Sequence, residues 1–113
     1  MPDLEDLAAR ILAFREARDW ARFHTPRNLA ASLSIEAAEL LEIFQWDLED
    51  TPVDTARRER ISEELADTII YALLLAHESG VDLAHAVEEK LRENERKYPV
   101  EKSKGRSTKY TEL

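Results

Sequence analysis

The 113-residue chain has no cysteine, only 2 glycines and 4 prolines, and no long apolar run. Without cysteine there is no disulfide framework and no thiol chemistry. The scarcity of the two helix-breaking residues, combined with abundant Ala, Leu, Glu and Arg, predicts an all-α fold. The longest apolar run, Ile69 to Ala76, is far shorter than the ~20 residues that cross a bilayer. We therefore expect a soluble, cytoplasmic protein without a membrane partner.

Charge is distributed unevenly along the chain. Residues 1–89 hold 8 Lys/Arg against 20 Asp/Glu, a net −12, whereas residues 90–113 hold 8 against 4, a net +4. The acidic body argues against a nucleic acid polymer as partner, because a polyanion would be repelled. The basic end is better suited to the phosphates of a small ligand.

Capping residues and apolar spacing predict four helices. Asp3, Thr25 and Asp82 are suitable N-caps, and Gly80 suits the left-handed conformation that ends a helix. The predicted helices run from about residue 4 to 20, 26 to 45, 55 to 79 and 83 to 97, with a polar loop over residues 46–54.

One helical stretch predicts an oligomer. Residues 68–76 are apolar around the whole helix circumference, and a four-helix domain of this size buries only one side of each helix. We expect the other side to face another subunit; the alternative is the central helix of a monomeric bundle. The chain as a whole is predicted to form a helical domain over residues 1–99 and an extended basic tail over residues 100–113.

Two pairs of acids, each spaced by three residues, carry the main functional signal: Glu36 with Glu39, and Glu64 with Asp67. Residues i and i+3 are neighbours on a helix, so each pair directs two carboxylates the same way. Because both pairs lie within apolar stripes, four converging carboxylates imply a counter-charge, and a divalent metal is the simplest one. Oxygen ligands favour Mg²⁺, or Mn²⁺ as a substitute, and Mg²⁺ also binds substrate phosphates. The alternative is an ordinary surface-helix pattern.

Aromatic and polar residues near helix ends are candidate substrate contacts. Trp20, His24 and Trp46 lie at helix ends or in loops, where an aromatic face suits stacking on a base. Lys90 and Asn94 share one face of the fourth helix and could contact a polyphosphate together. For the aromatic residues the alternative is ordinary packing. For Lys90 and Asn94 the alternative is a solvated helix face.

Several segments combine into the pattern of a known family. They are Glu36-x-x-Glu39 followed by Glu64-x-x-Asp67, Arg18-Asp-Trp20-x-x-Phe23-His24-x-Pro26-Arg-Asn-Leu29, Phe44-Gln-Trp46, Glu63-Glu-Leu-x-Asp67-x-x-x-Tyr71, Lys90-x-x-x-Asn94 and the closing Lys109-Tyr-Thr-Glu-Leu113. The pattern resembles the MazG-like superfamily of all-α nucleoside triphosphate pyrophosphohydrolases, and within it the dCTP pyrophosphatase branch. The resemblance covers nearly the whole chain. It departs at Ile11, nine residues before Trp20, where that branch has a histidine.

The resemblance implies a four-helix MazG-like bundle that assembles through its central helices into a dimer of dimers, a homotetramer whose sites take residues from more than one subunit. It implies Mg²⁺ at the two acid pairs, with Glu39 or Glu63 accepting a proton from an attacking water. The implied substrate contacts are Trp20, His24, Arg27, Asn28, Trp46, Tyr71, Lys90 and Asn94. The implied reaction converts a nucleoside triphosphate, dCTP or a modified dCTP, into the monophosphate and pyrophosphate, which removes excess or modified deoxynucleotides.

Two other interpretations stay open. A non-enzymatic helical oligomerisation or regulatory module would explain residues 69–76 but not the acids beside them. A di-iron carboxylate oxidoreductase also gathers helix carboxylates, but its sites use Glu-x-x-His on two helices, and this chain has Glu39 and Asp67 at the corresponding positions.

Overall fold

The structure is a computed structural model that describes residues 1–48 and 51–113. Every regular element within these residues is helical, which confirms the all-α prediction. The helices are α1 (Leu4–Ala17), α2 (Pro26–Glu42), α3 (Thr55–Glu78), α4 (Leu83–Lys97) and α5 (Val100–Ser103), with short 3-10 helices at Ala21–Phe23 and Tyr110–Glu112. Among the described residues, none of the helices has the length and apolar character that crossing a membrane requires.

The helix starts follow local capping chemistry. The side chains of Asp3, Thr25 and Asp82 each accept a hydrogen bond from the backbone N–H three residues later, as predicted. Asp54 does the same for α3 and was not among the predicted caps. Gly80 ends α3 with φ 68°, and Val81 N–H donates to the Ala76 carbonyl at 2.8 Å, which completes the predicted left-handed cap.

The ends of α1 and α2 come earlier than predicted. The first helix stops at Ala17, because Asp19 takes the left-handed conformation with φ 53°. The second stops at Glu42, and turns whose N–H groups donate to the carbonyl three residues earlier carry the chain on to Asp47. Of the predicted loop over residues 46–54, residues 49 and 50 lie outside the described residues, and the remainder is non-helical.

The chain divides into two compact units, Met1–Val81 and Asp82–Leu113. In the first unit α2 packs along α3, and α1 packs on α3 as well. The buried apolar residues of this unit are Leu29, Ile43, Leu73, Leu74 and Ala76. The α2–α3 seam is therefore the main packed interface of the first unit.

The second unit contains α4, α5 and the C-terminal 3-10 helix, where the sequence predicted an extended tail after residue 99. The rings of Tyr98 and Tyr110 meet edge to face with centroids 5.9 Å apart. The Lys97 ammonium lies 4.6 Å from the centroid of the Tyr110 ring. These contacts bring the last residues back to the end of α4.

Candidate metal and nucleotide site

The two acid pairs meet where α2 packs along α3. One carboxylate oxygen from each of Glu36, Glu64 and Asp67 can be chosen so that all three lie within 4.8 Å of one another. We call these three residues the acid cluster. Glu39 lies outside this set, but its charge acts on the carboxyls of both Glu36 and Glu64. The structure thus brings together three of the four acids of the predicted metal site, with Glu39 as their neighbour.

Heptad spacing explains why the acids lie in the seam between the helices. Glu36 lies seven residues after Leu29 and seven before Ile43, which are 1% and 6% exposed. Seven residues make about two helical turns, so the three side chains share one face. On α3, Asp67 has the same relation to Leu74, which is 4% exposed. The stripes that build the core also direct these carboxylates toward one another.

Burial and neighbouring carboxyls raise the pKa values of two members of the acid cluster, Glu36 and Glu64. Burial raises the pKa of Glu36 to about 7, and the neighbouring Glu39 adds to the effect, as does the charge of Asp67. Burial likewise raises the pKa of Glu64, with Glu39 as the second cause. Half-buried carboxyls that repel one another hold protons more tightly. A divalent cation would compete with those protons for the same oxygens.

Two oxygens of the cluster lack a partner. Oε2 of Glu36 and Oε2 of Glu64 are closed to solvent and accept no hydrogen bond from the described residues. Buried carboxylate oxygens are normally satisfied by donors, and leaving them unpaired is unfavourable. An all-oxygen donor set in this state fits a hard divalent cation. The residues present therefore suit a divalent metal.

Trp20 is fixed by the way α1 ends. Its N–H donates to the Arg15 carbonyl at 3.2 Å, and Asp19 N–H donates to the Glu16 carbonyl at 3.1 Å, which together form a Schellman motif. In that motif the residue after the left-handed position packs against the last helical turns. Here the Trp20 ring meets the Phe14 ring edge to face, with centroids 5.7 Å apart. Trp20 is still 45% exposed, so part of its surface is accessible to a ligand.

His24 follows the Ala21–Phe23 turn and is half-buried. Its Nδ1 atom is closed to solvent and has no hydrogen-bond partner among the described residues. Burial lowers its pKa, and the nearby Arg15 guanidinium lowers it further, against the opposing charge of Glu78. The imidazole is therefore neutral at pH 7 and could exchange hydrogen bonds with a base edge.

An ion pair that sequence reasoning missed lies beside His24. Arg15 is 4% exposed, and its Nη1 donates to Oε1 of Glu78 at 2.6 Å. The pair joins α1 to the end of α3. One signal in the sequence was available: Arg15 lies four residues after Ile11, on the apolar face of α1. Nothing local identifies its partner, which is 63 residues away.

The other predicted contacts of the first unit lie in varied settings. Tyr71 is half-buried, one turn after Asp67 on α3. The Asn28 side chain donates to the Phe23 carbonyl at 3.0 Å, which ties the turn before α2 to the first turn of that helix. Arg27 is exposed.

Four further predicted residues are exposed. Trp46 is 84% exposed in the turns after α2. Glu63 is exposed and lies outside the acid cluster. In the second unit, Lys90 pairs with Glu93 at 3.4 Å and Asn94 is exposed on the same helix. Phosphate contact from Lys90 and Asn94 stays a prediction.

The fold and the acid cluster together define an all-α protein with a carboxylate centre built between two packed helices. The sequence pattern of the MazG-like family matches residues 31–113, which include both acid pairs. The chain is 46% identical over 116 residues to dCTP pyrophosphatase 1 of Bos taurus, covering 99% of this chain and 69% of the relative. It is 45% identical to dCTP pyrophosphatase 1 of Homo sapiens, covering 99% of this chain and 68% of the relative.

A solved structure gives the same answer for the fold. It is a pyrophosphatase from Archaeoglobus fulgidus, 42% identical, with a TM-score of 0.76 over 88% of this chain and 94% of that chain. The chain belongs to the MazG-like family, as the motifs predicted.

Proposed function

We propose that the protein is a Mg²⁺-dependent nucleoside triphosphate pyrophosphohydrolase that cleaves dCTP, or a modified dCTP, to the monophosphate and pyrophosphate. The observation that carries the proposal is the acid cluster, with two buried carboxylate oxygens that find no donor among residues 1–48 and 51–113. The relatives named dCTP pyrophosphatase 1 support the reaction and the substrate. Its role would be removal of excess or modified deoxynucleotides from the cytoplasmic pool.

The acid cluster and Glu39 would hold the metal and manage the proton. When bound, Mg²⁺ supplies neutralisation of the triphosphate charge and a more acidic water. Glu36, Glu64 and Asp67 provide the converging oxygens. Glu39 is the better of the two candidate general bases, because it is half-buried and its charge acts on two of these acids, while Glu63 is exposed. In-line attack at the α-phosphorus then releases pyrophosphate.

The nucleoside would be held by the aromatic residues of the first unit. Trp20 and Trp46 present exposed ring surface, 45% and 84%, on which a base can stack. Stacking discriminates poorly among bases, so selectivity must come from hydrogen bonds to base edges, for which the neutral His24 is a candidate. Tyr71 lies close along α3 to the acid cluster and would contact the substrate between base and phosphates. Arg27 and Asn28 would be further substrate contacts, and Lys90 and Asn94 would contact the phosphates.

The experiment that tests this function is product analysis. The protein is incubated with Mg²⁺ and each of the four deoxynucleoside triphosphates, and the products are separated by ion-exchange chromatography. We expect monophosphate and pyrophosphate, with dCTP turned over fastest. Orthophosphate and nucleoside diphosphate as sole products would overturn the mechanism. Equal turnover of all four substrates would overturn the base assignment alone, and no turnover would favour the oligomerisation module.

We also propose that the chain assembles as a dimer of dimers through its central helices. Leu65, Ile69 and Ile70 of α3 are 47%, 46% and 36% exposed, so apolar surface remains on the helix that carries the core. Apolar surface of this kind is typical of an interface between subunits. Light scattering should therefore give a mass near four times 13.0 kDa, and Ile69→Glu should lower it. A monomer at micromolar concentration would contradict the assembly.

A further inference from the structure

A single side chain of α3 holds the turn that carries Trp46. Arg57 Nη1 donates to Oδ2 of Asp47 at 2.7 Å, and Nη2 donates to Oδ1 at 3.2 Å. The same guanidinium lies 5.3 Å from the centroid of the Phe44 ring. Asp47 directly follows Trp46, and Phe44 precedes it by two residues. Arg57 therefore contacts the chain on both sides of Trp46.

The turn is closed within itself as well. The Asp47 N–H donates to the Phe44 carbonyl at 3.1 Å, so Gln45 and Trp46 are the two central residues of a turn. Trp46 is 84% exposed, whereas the side chains of Asp47 and Arg57 are only 21% and 20% exposed. An indole this exposed is not fixed by packing. Its position depends on the backbone that Arg57 fastens.

The pair is better suited to positioning than to general stability. A two-bond contact between a planar guanidinium and a carboxylate fixes orientation as well as distance. Arg57 holds the pKa of Asp47 below its usual range, chiefly through these hydrogen bonds, so the pair stays ionised across the neutral range. The Asp54 carboxylate caps the Arg57 N–H at 2.8 Å, which fixes the backbone from which the guanidinium projects.

The same helix face carries the acid cluster. Arg57 and Glu64 are seven residues apart on α3, about two turns, and a rise of 1.5 Å per residue separates them by roughly 10 Å along the axis. The fastening point for the Trp46 turn and two of the clustered acids thus belong to one continuous helix, Thr55–Glu78. A group held by Arg57 keeps a set distance from those acids.

We propose that Arg57 and Asp47 are positioning residues that fix Trp46 for the nucleoside end of the substrate while the acid cluster engages the phosphates. This inference rests on the proposed function and extends it to residues that touch neither substrate nor metal. Because they act through Trp46, their loss should weaken substrate binding in ground state and transition state alike. The expected signature is a higher KM at nearly unchanged kcat.

A double-mutant cycle measured by steady-state kinetics tests the inference. Arg57→Ala and Asp47→Ala should each raise KM for the preferred triphosphate by about fivefold, and the double variant should be no worse than either, because both remove one interaction. Arg92→Ala is the matched control, since it removes an exposed arginine–carboxylate pair with Glu88 (2.9 Å) on α4 and should leave KM unchanged. Unchanged KM in both single variants, additive effects, or a fall in kcat alone would overturn the inference.

A second measurement does not depend on turnover. In a Trp20→Phe background Trp46 is the remaining tryptophan, so its fluorescence anisotropy reports how firmly the turn is held. Arg57→Ala should lower that anisotropy, and Arg92→Ala should not. Lower anisotropy in a protein that hydrolyses no triphosphate would reject the proposed function while retaining the fastening of Trp46. Unchanged anisotropy would reject the positioning role whatever the activity.

Discussion

Glu36→Gln should abolish pyrophosphate release while leaving the helical fold intact. Substitutions of residues that merely support metal ligands typically cost 10- to 100-fold in affinity or activity, so loss of a ligand oxygen should lower kcat/KM by at least about a hundredfold. The reason lies in the geometry of the acid cluster, where Glu36 shares a 4.8 Å neighbourhood with Glu64 and Asp67. Asp67→Asn should have the same effect. Steady-state kinetics with Mg²⁺ measures both.

The same substitution should stabilise the protein when no metal is present. The folded-state pKa of Glu36 is raised from 4.5 to about 7, so the unfolded chain binds fewer protons than the folded one between these values. Stability contributed by the protonated form is therefore complete below about pH 4.5 and is lost as pH rises toward 7. Glutamine has nothing to ionise. In EDTA at pH 8, Glu36→Gln should unfold at a higher temperature than wild type, and the gap should close near pH 4.5.

Adding Mg²⁺ should reverse that order, because a ligand that binds only the folded state stabilises it. The wild-type unfolding temperature should rise with Mg²⁺, and that of Glu36→Gln should rise much less. Glu59→Gln is a suitable control, since Glu59 is exposed on α3 and belongs to no part of the site. Wild-type activity in Glu36→Gln, or full wild-type activity in excess EDTA, would contradict the metal assignment.

The elements that the sequence predicted well are those that depend on neighbouring residues. Asp3, Thr25 and Asp82 cap helices because a short side chain can reach a free N–H three residues on, whatever the rest of the fold does. The acid pairs were recognisable for the same reason, since i, i+3 spacing within an apolar stripe is itself local information. The helix end predicted near Trp20 was wrong because Asp19 adopted a conformation that is more typical of glycine.

What the sequence could not provide are contacts between distant segments. Within the described part of the chain, Oε2 of Glu36 and Oε2 of Glu64 have no donor because of how α2 and α3 pack, and no local pattern reports it. The fastening of the Trp46 turn by Arg57 joins residues whose charges look like ordinary surface charges in the sequence. Similarly, an arginine in α1 is usually exposed, whereas Arg15 is among the most buried side chains described.

That buried arginine gives the second large effect: Glu78→Gln should lower the free energy of unfolding by about 3 kcal/mol. Removing the carboxylate leaves the Arg15 guanidinium, 5% exposed, without its partner at 2.6 Å. Arg15 Nε already lacks a hydrogen-bond partner among the described residues, so little else compensates the charge. For a domain of this size the loss corresponds to a fall in unfolding temperature on the order of 10 °C. Chemical denaturation and calorimetry measure the two quantities.

Replacing the other partner of the pair, Arg15, should lower the stability less, and this difference between the two substitutions is the diagnostic result. Arg15→Met fills a similar volume with apolar atoms, and the Glu78 side chain, 29% exposed, can still be hydrated. Glu88→Gln breaks an exposed pair with Arg92 and should be nearly silent. If Glu78→Gln were as stable as wild type, Arg15 would have to be neutralised by Glu16, whose Oε1 lies 3.9 Å from Nη2. If the unpaired buried charge of Arg15 is what destabilises Glu78→Gln, the double variant Arg15→Met/Glu78→Gln should recover most of the stability that Glu78→Gln loses. If the lost contact is the cause, the double variant should recover little of it.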